Sequence, residues 1–301
     1  MPDLILIGAV ESTRIALEAA HRAEGWRVRA LVTLPPESCG RHSDYCDLAP
    51  QACGMGVEII HAARINDAAV IARIGALRPD LLLVVGWSQI CGPDFLAISP
   101  GRVLGYHPAP LPRLRGRAVI PWTILLREPV SAGTLFWIDG GTDSGPIVEQ
   151  EFFLVAPDET ARSLYDRHME VLASLLAKAL RRIGQGDAAG IPQKEHLATF
   201  AARRVKADGL IAWSQGTDAI DRLIRAVGRP YPGAFTHLGM ERVTIWAAVP
   251  EPCGSYEAAL PGQIVAAAPS HWLVRTGDGL LLVTDWHRAD GGVSPIHQRL
   301  G

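Results

Sequence analysis

The chain has 301 residues, 48% of them hydrophobic, with a formal net charge of −2. That length and apolar content supply core for two domains or one large one, and the acidic balance argues against nucleic acid as the main partner, since phosphate binding draws on an excess of Lys and Arg. The opening MPDLILIGAVESTR is too short in its apolar run and too acidic for a secretory leader, no run approaches a membrane span, and the five cysteines, Cys39, Cys46, Cys53, Cys91 and Cys253, are odd in number without CxxC spacing. The expectation is a cytoplasmic protein with reduced thiols, no membrane association and no metal.

Residues 3–8 (DLILIG) predict a buried strand, residues 11–24 an amphipathic helix and residues 26–34 a second strand, which together make a βαβ unit. Gly8 stands alone in its turn, so the GxGxxG fingerprint of a dinucleotide-dependent oxidoreductase is missing. Residues 35–56 read as irregular. VEII (57–60) predicts a brief strand, residues 66–77 a helix, PDLLLVVGW (79–87) a buried strand, and RVLGYH (102–107) another that ends at His107. Residues 108–117 form a loop, with a helix expected after Pro121. AGTLFWI (132–138) and IVEQEFFLV (147–155) predict an antiparallel pair joined by DGGTDSGP, and residues 159–184 the longest amphipathic helix.

Beyond residue 200 the character changes. A connector leads to a helix over 217–228, with Thr217 as its expected cap, then to a rigid turn RPYPGAF and to short strands at 243–249, 262–268, 271–276 and 280–286. The fold class expected is therefore α/β: a Rossmann-like, mostly parallel sheet over residues 1–200, followed by a small OB-like β-barrel over residues 201–301.

His107 sits where a strand of an α/β sheet runs out, the edge at which such sheets bind ligands. Asp143 leaves another strand of the same half. A carboxylate beside an imidazole fixes its tautomer, and the pair can move a proton in acyl transfer. Each residue alone also has a plain structural reading, as a histidine on a backbone carbonyl and a turn-forming aspartate.

Together, the pattern of strand, His107, Leu111, Pro112, Arg115 and Gly116, then Asp139, Gly141, Asp143 and Gly145, resembles the folate-dependent formyltransferase family. That family includes the glycinamide ribonucleotide, methionyl-tRNA and sugar N-formyltransferases. IRAVGRPYPGAF and PGQIVAAAPSHWLVRTGDGLLLV look like the barrel of the tRNA and sugar enzymes, and RPYPGAF in particular is similar to UDP-4-amino-4-deoxy-L-arabinose formyltransferase. The resemblance implies 10-formyltetrahydrofolate as co-substrate and a primary amine as acceptor, with His107 and Asp143 catalytic. It implies a pterin held largely by main chain, with Val85, Gly86, Trp87, Leu111, Ile138, Asp139 and Gly141 as the candidate contacts. Trp87 reads equally well as a core filler. Arg115, Tyr106 and Pro108 are candidate acceptor contacts, although the RG pair can equally shape its loop, and Arg113 and Arg117 read as phosphate contacts or as solvated loop. His42, Ser43, Asp44 and Tyr45 are a further loop over the same edge.

One position departs from the family. An Asn stands two residues before its His, where this chain has Gly105, and Asn66 is the only Asn present. Losing one oxyanion donor costs roughly 2.7–4 kcal/mol in comparable sites. Gln89, at the end of a neighbouring strand, is the candidate replacement, or else merely a polar strand end. The main expectation for the acceptor is an amino sugar on a nucleotide. Amino acids, natural-product amines and methionyl-tRNA are alternatives, as is an inactive folate- or sugar-binding relative. A homodimer is open, since the family's sugar members pair.

Overall fold

The computed structural model describes residues 1–41, 44–252, 256, 258–288 and 296–301. His42, Ser43 and Cys253 lie outside the described residues. Its elements are β1 (Asp3–Ile7), α1 (Glu11–Arg22), β2 (Arg27–Thr33), α2 (Ala49–Gly54), β3 (Glu58–His61), α3 (Ala68–Ala76), β4 (Leu81–Val84), α4 (Pro93–Leu96), β5 (Val103–His107), β6 (Arg115–Gly116), α5 (Val119–Leu125), β7 (Val130–Trp137), β8 (Ile147–Leu154), α6 (Ala161–Gly184), β9 (Phe200–Ala201), α7 (Thr217–Val227), β10 (Ala234–Leu238), β11 (Glu241–Glu251), β12 (Ile264–Ala268), β13 (His271–Arg275) and β14 (Leu280–Arg288). They divide into two compact units: Met1–Val119 with Val130–Leu154 and Tyr165–Ala202, and Ile120–Pro129 with Val155–Leu164 and Arg203–Gly301.

The first unit is built on a seven-stranded sheet in the order β3-β2-β1-β4-β5-β7-β8. The first five strands run parallel and the last two antiparallel. Its centre is β1 and β4, whose aliphatic runs are buried on both faces, as parallel strands covered on both sides require. The chain turns from β1 into α1 at Gly8, where a Cβ would sit 2.0 Å from the Val85 carbonyl oxygen. Buried Thr13 ties the turn to β4: its hydroxyl donates to the Val85 carbonyl at 2.7 Å and accepts from the Val10 N–H at 3.1 Å. The ends of β1 and β4, which floor the site described below, are fixed to each other in this way.

The second unit is a five-stranded antiparallel sheet, β10-β11-β14-β13-β12. Register shifts in β11 and β12 bend it. The last residues of the chain close it. Leu238 of β10 bridges Leu300, Gln263 beside β12 bridges Arg299, and the N–H of Gly301 donates to the His237 carbonyl. Both edge strands thereby acquire partners, the arrangement of a small barrel, with Val243, Ile245, Ile264, Trp272, Val274 and Val283 buried within.

Some local expectations are corrected. Residues 35–56 contain a 3-10 turn, Pro36–Arg41, and the helix α2. Helix α5 starts at Val119, two residues before Pro121, which a first helical turn tolerates because its N–H would lack a partner anyway. Thr217 is the first helical residue of α7 and Gly216 the cap. The Thr217 N–H is met instead by the distant Asp278 carboxylate at 2.7 Å, whose pKa is lowered chiefly by that hydrogen bond. The end of RPYPGAF is already strand β10. Among the described residues, no helix is long and apolar enough to cross a membrane, and no group of three His, Cys, Asp or Glu could hold a metal.

Helix α6 carries a fully buried histidine, His168, into the apolar layer behind β5 and β7. The Tyr106 hydroxyl donates to the His168 carbonyl at 3.1 Å and lies 3.2 Å from its Nδ1, Ser131 Oγ is 3.4 Å from Nε2, and the Phe153 ring meets the imidazole edge-on. Burial, and secondarily nearby His107, push its pKa down to about 3. Between about pH 6.5 and pH 3 the unfolded chain therefore binds a proton that the folded chain refuses, so this group's contribution to stability is lost as pH falls through that window, by up to about 1.4 kcal/mol per pH unit. In His168→Leu, the drop in the urea midpoint between pH 7 and pH 4.5 is expected to be smaller than in the parent. Parallel pH dependences in the two proteins would show that the buried imidazole does not titrate this way.

Candidate active site

Side chains alternate along β5, so Gly105 and His107 share one face while Tyr106 takes the other. His107 is 6% exposed. Its Nε2 lies 2.8 Å from the main-chain oxygen of Leu114. A carbonyl only accepts, so Nε2 carries the hydrogen, and in the neutral ring Nδ1 is left with its lone pair. Leu114 holds its carbonyl in place through a left-handed backbone, φ 59°, and through its own N–H, which donates to Thr199 Oγ1 at 2.9 Å.

Nδ1 faces Asp143, whose Oδ2 is 3.7 Å away. That is too long for a hydrogen bond and within ion-pair distance when the ring is protonated. Asp143 is itself left-handed, φ 50°, and its Oδ2 accepts the Gly116 N–H at 2.8 Å. The carboxylate is thus aimed by the same loop that fixes the ring. The pair opens on a cleft of about 570 Å³ whose walls include Trp87, Gly105, Arg117, Phe136, Ile138 and Gly140. A neutral His107 here can take a proton at Nδ1, and the resulting cation has a carboxylate beside it.

The expected residues separate into those at the cleft and those behind it. His107, Asp143, Gly86, Trp87, Gln89, Ile138, Asp139 and Gly141 line it. Trp87 Nε1 is buried without a hydrogen-bond partner, a donor at the wall left unmet by protein. Asp139 Oδ1 accepts from the Gly141 N–H and from Ser144 Oγ, so it shapes the turn. Gln89 spans the loop before α3: its Nε2 donates to the Ala63 carbonyl at 2.8 Å and its Oε1 accepts the Ile65 N–H at 3.0 Å. Both ends of the amide offered as a replacement oxyanion donor are engaged there.

Seven expectations are corrected. Val85, one residue past β4, is fully buried and both its main-chain polar groups are spent, on Ile7 and Thr13. Leu111 is 3% exposed and its carbonyl accepts from Gln150, and neither it nor Pro108 lines the cleft. Tyr106 lends only its backbone side to the lining, because alternation sends its phenol back to His168. Arg115 is 2% exposed and forked onto Glu195, so it faces away from any acceptor. Asp44 accepts from Tyr165, and Tyr45 bridges Val10. What the sequence underweighted is Arg117: it reaches from the loop after β6 to the Ser88 carbonyl after β4, and it is the one Lys or Arg in the lining.

Gly105 is packed rather than vacant. A Cβ there would stand 2.9 Å from Ile138 Cγ1 and 3.1 Å from Phe136 Cε1. The room an Asn side chain would need is filled with hydrocarbon.

Comparisons with known proteins identify the family. A formyl transferase family model matches residues 4–180, and the model of the formyl transferase C-terminal domain matches residues 204–300. The chain belongs to the formyl transferase family. The methionyl-tRNA formyltransferase of Symbiobacterium thermophilum is 32% identical to this formyltransferase over 290 residues, which is 95% of this chain and 87% of that one. Among solved structures, the N-formyltransferase from Helicobacter canadensis, in complex with folinic acid and dTDP-3-aminofucose, superposes with a TM-score of 0.68 at 18% identity, covering 95% of this chain and 100% of that one. HypX from Aquifex aeolicus, in complex with tetrahydrofolic acid, gives 0.68 at 18% identity, and the chain spans less than half of it, 44%, while 96% of this chain is covered. At these identities the two structures share the fold.

The packing at Gly105 sets a specific expectation. Gly105→Asn alone is expected to destabilise the formyltransferase by about 1–3 kcal/mol through overpacking, and Gly105→Asn with Ile138→Ala to recover at least half of that. Thermal melts of the two variants measure it, and a single variant as stable as the parent would show that the space is open after all.

Proposed function

We propose that the protein transfers the formyl group of 10-formyltetrahydrofolate to the primary amine of a nucleotide-linked amino sugar, with His107 and Asp143 handling the protons. The observation that carries this reading is the fixed tautomer of His107, whose only free ring nitrogen faces Asp143 in an open cleft. The donor's pterin fits a wall with the unmet Trp87 N–H and a run of glycine backbone at residues 140–141. The donor supplies an activated one-carbon acyl group.

In this reading the amine nitrogen bonds to the formyl carbon, and the bond from that carbon to the folate nitrogen breaks. Nδ1 of His107 accepts the proton the amine must lose. Asp143 stabilises the imidazolium so formed. The Nδ1–H so formed then delivers its proton to the departing folate nitrogen as the tetrahedral intermediate collapses. One proton leaves the amine and one reaches the folate, so no net acid or base is consumed. In this reading residues 1–200 carry the chemistry, and residues 201–301 form the barrel.

The net charge of −2 weighs against a polyanion such as tRNA, and Arg117 gives the cleft one contact for a phosphate. The fold is shared with an enzyme crystallised with dTDP-3-aminofucose. Methionyl-tRNA is the second reading, favoured by the 32% identical relative.

The test supplies 10-formyltetrahydrofolate with either dTDP-3-aminofucose or methionyl-tRNA and follows tetrahydrofolate release and product mass. Formylation of the sugar and not of the tRNA is expected, and the reverse result replaces the acceptor. His107→Ala and Asp143→Asn are expected to lose 10²-fold or more in kcat, about the range of general acid–base catalysis, while binding 5-formyltetrahydrofolate within a few-fold of the parent. Undiminished turnover in either variant removes its residue from the mechanism.

A further inference from the structure

The segment that follows α6 runs as a strap across the backs of both loops that build the candidate site. Ile191 pairs with Ile147 through two main-chain hydrogen bonds of 2.8 Å. Thr199 meets Leu114 and Arg115, and β9 pairs in parallel with β6. Midway along the strap, Gln193 spends its whole amide on the site. Its Nε2 donates to the Asp143 carbonyl at 2.8 Å and to the Gly145 carbonyl at 2.7 Å. Its Oε1 accepts from Arg115 Nη2 at 2.9 Å and Nε at 3.2 Å. Arg115 is pinned from its other side by both oxygens of Glu195 at 2.9 Å, and that carboxyl is held below its usual pKa by the guanidinium.

We propose that Gln193 is a positioning residue for formyl transfer, holding Asp143 in its left-handed conformation and at its distance from His107 by tying the 139–145 loop to Arg115. The proposal rests on the reading of His107 and Asp143 as the proton-handling pair. Asp143 sits at φ 50°, a region a non-glycine residue occupies only when its surroundings impose it. Two restraints act on it: the Gly116 N–H on its carboxylate and the Gln193 amide on its carbonyl. Arg115 and Gly116 are adjacent in β6, so the amide links the neighbour of the residue that receives the carboxylate to the peptide that presents it. A glutamine is required because donors and acceptor must act at once: two carbonyls need N–H groups and a guanidinium needs an oxygen. A glutamate keeps the acceptor and loses both donors, and a methionine keeps the length and loses everything polar. The ionisable groups facing this junction are Asp143, Arg115 and Glu195, with Asp139 acting on Glu195, and those near His107 are Asp143 and His168.

The experiment compares Gln193→Met and Gln193→Glu with Glu195→Gln, which loosens the Arg115 clamp while leaving the Gln193 amide in place. The first readout is the backbone amide resonance of Gly116, which reports its hydrogen bond to the Asp143 carboxylate and is independent of any acceptor. The second is the split between kcat and KM for 10-formyltetrahydrofolate, using whichever of dTDP-3-aminofucose and methionyl-tRNA the parent formylates. A thermal melt identifies variants that fail to fold. We expect the Gly116 amide to move in both Gln193 variants and kcat to fall about 10²-fold, the loss typical of an ångström-scale misplacement, with KM for the donor within twofold. Glu195→Gln is expected to lower the melting temperature without moving either readout. A Gly116 resonance unmoved in Gln193→Met overturns the proposal. So does a moved resonance with unchanged kcat, and the His107→Ala result then separates the causes: if that variant is inactive only the role of Gln193 falls, and if it is active the pair itself is not catalytic. Equal effects on kcat from Glu195→Gln would reduce Gln193 to a general brace and also overturn it.

Discussion

The hydrogen bond from His107 Nε2 to the Leu114 carbonyl is the constraint on which the site depends. An imidazole free to flip or to change tautomer would present either nitrogen to the cleft. Here one nitrogen is committed to an acceptor that cannot reverse roles, so the other is the one left facing Asp143 and the cleft. The carbonyl can serve only because Leu114 is left-handed, which turns its oxygen back toward the strand the chain has just left. That conformation is supported by Thr199, some 85 residues later in the chain. The reactive geometry is therefore written in the backbone of a loop and in the segment packed upon it, more than in the imidazole itself.

Much of the frame was legible beforehand. Aliphatic runs at β1 and β4, the strand ending in His107 and the β7–β8 pair follow from periodicity and turn chemistry, and each appears where patterning places it. The His107–Asp143 encounter was legible only through the motif pair, since 36 residues of sequence separation carry no geometry of their own. The errors share a physical origin. Tyr106 and Val85 are neighbours in sequence of residues that do reach the cleft, but strand alternation turns Tyr106 away and main-chain bonds to Ile7 and Thr13 bury Val85, while Leu111 is buried in the turn after β5. Arg115 looked like an anion-binding arginine because a lone sequence does not show Glu195 and Gln193 arriving to neutralise and bond it. Gln193, Thr199 and β9 gave no local signal, because their partners lie in a loop far upstream. Thr217 was misplaced as a cap for the same reason: its N–H is met by Asp278, from the turn between β13 and β14.

Gly105 joins the two halves of the argument. With no side chain there, the face of β5 beside His107 is sealed by Ile138 and Phe136, carbon in place of an amide. The loss of a neutral donor is real, and so is its electrostatic counterpart. Charges close to an apolar wall interact more strongly than charges in water, since the effective dielectric around them is lower. An imidazolium formed 3.7 Å from the Asp143 carboxylate would interact with it more strongly for the apolar carbon nearby. In the proposed mechanism the missing amide at Gly105 puts more weight on this ion pair, and so on the placement of Asp143. The N–H of Gly116 holds that carboxylate directly, while the Gln193 amide on the Asp143 carbonyl and the left-handed backbone fix the residue that carries it.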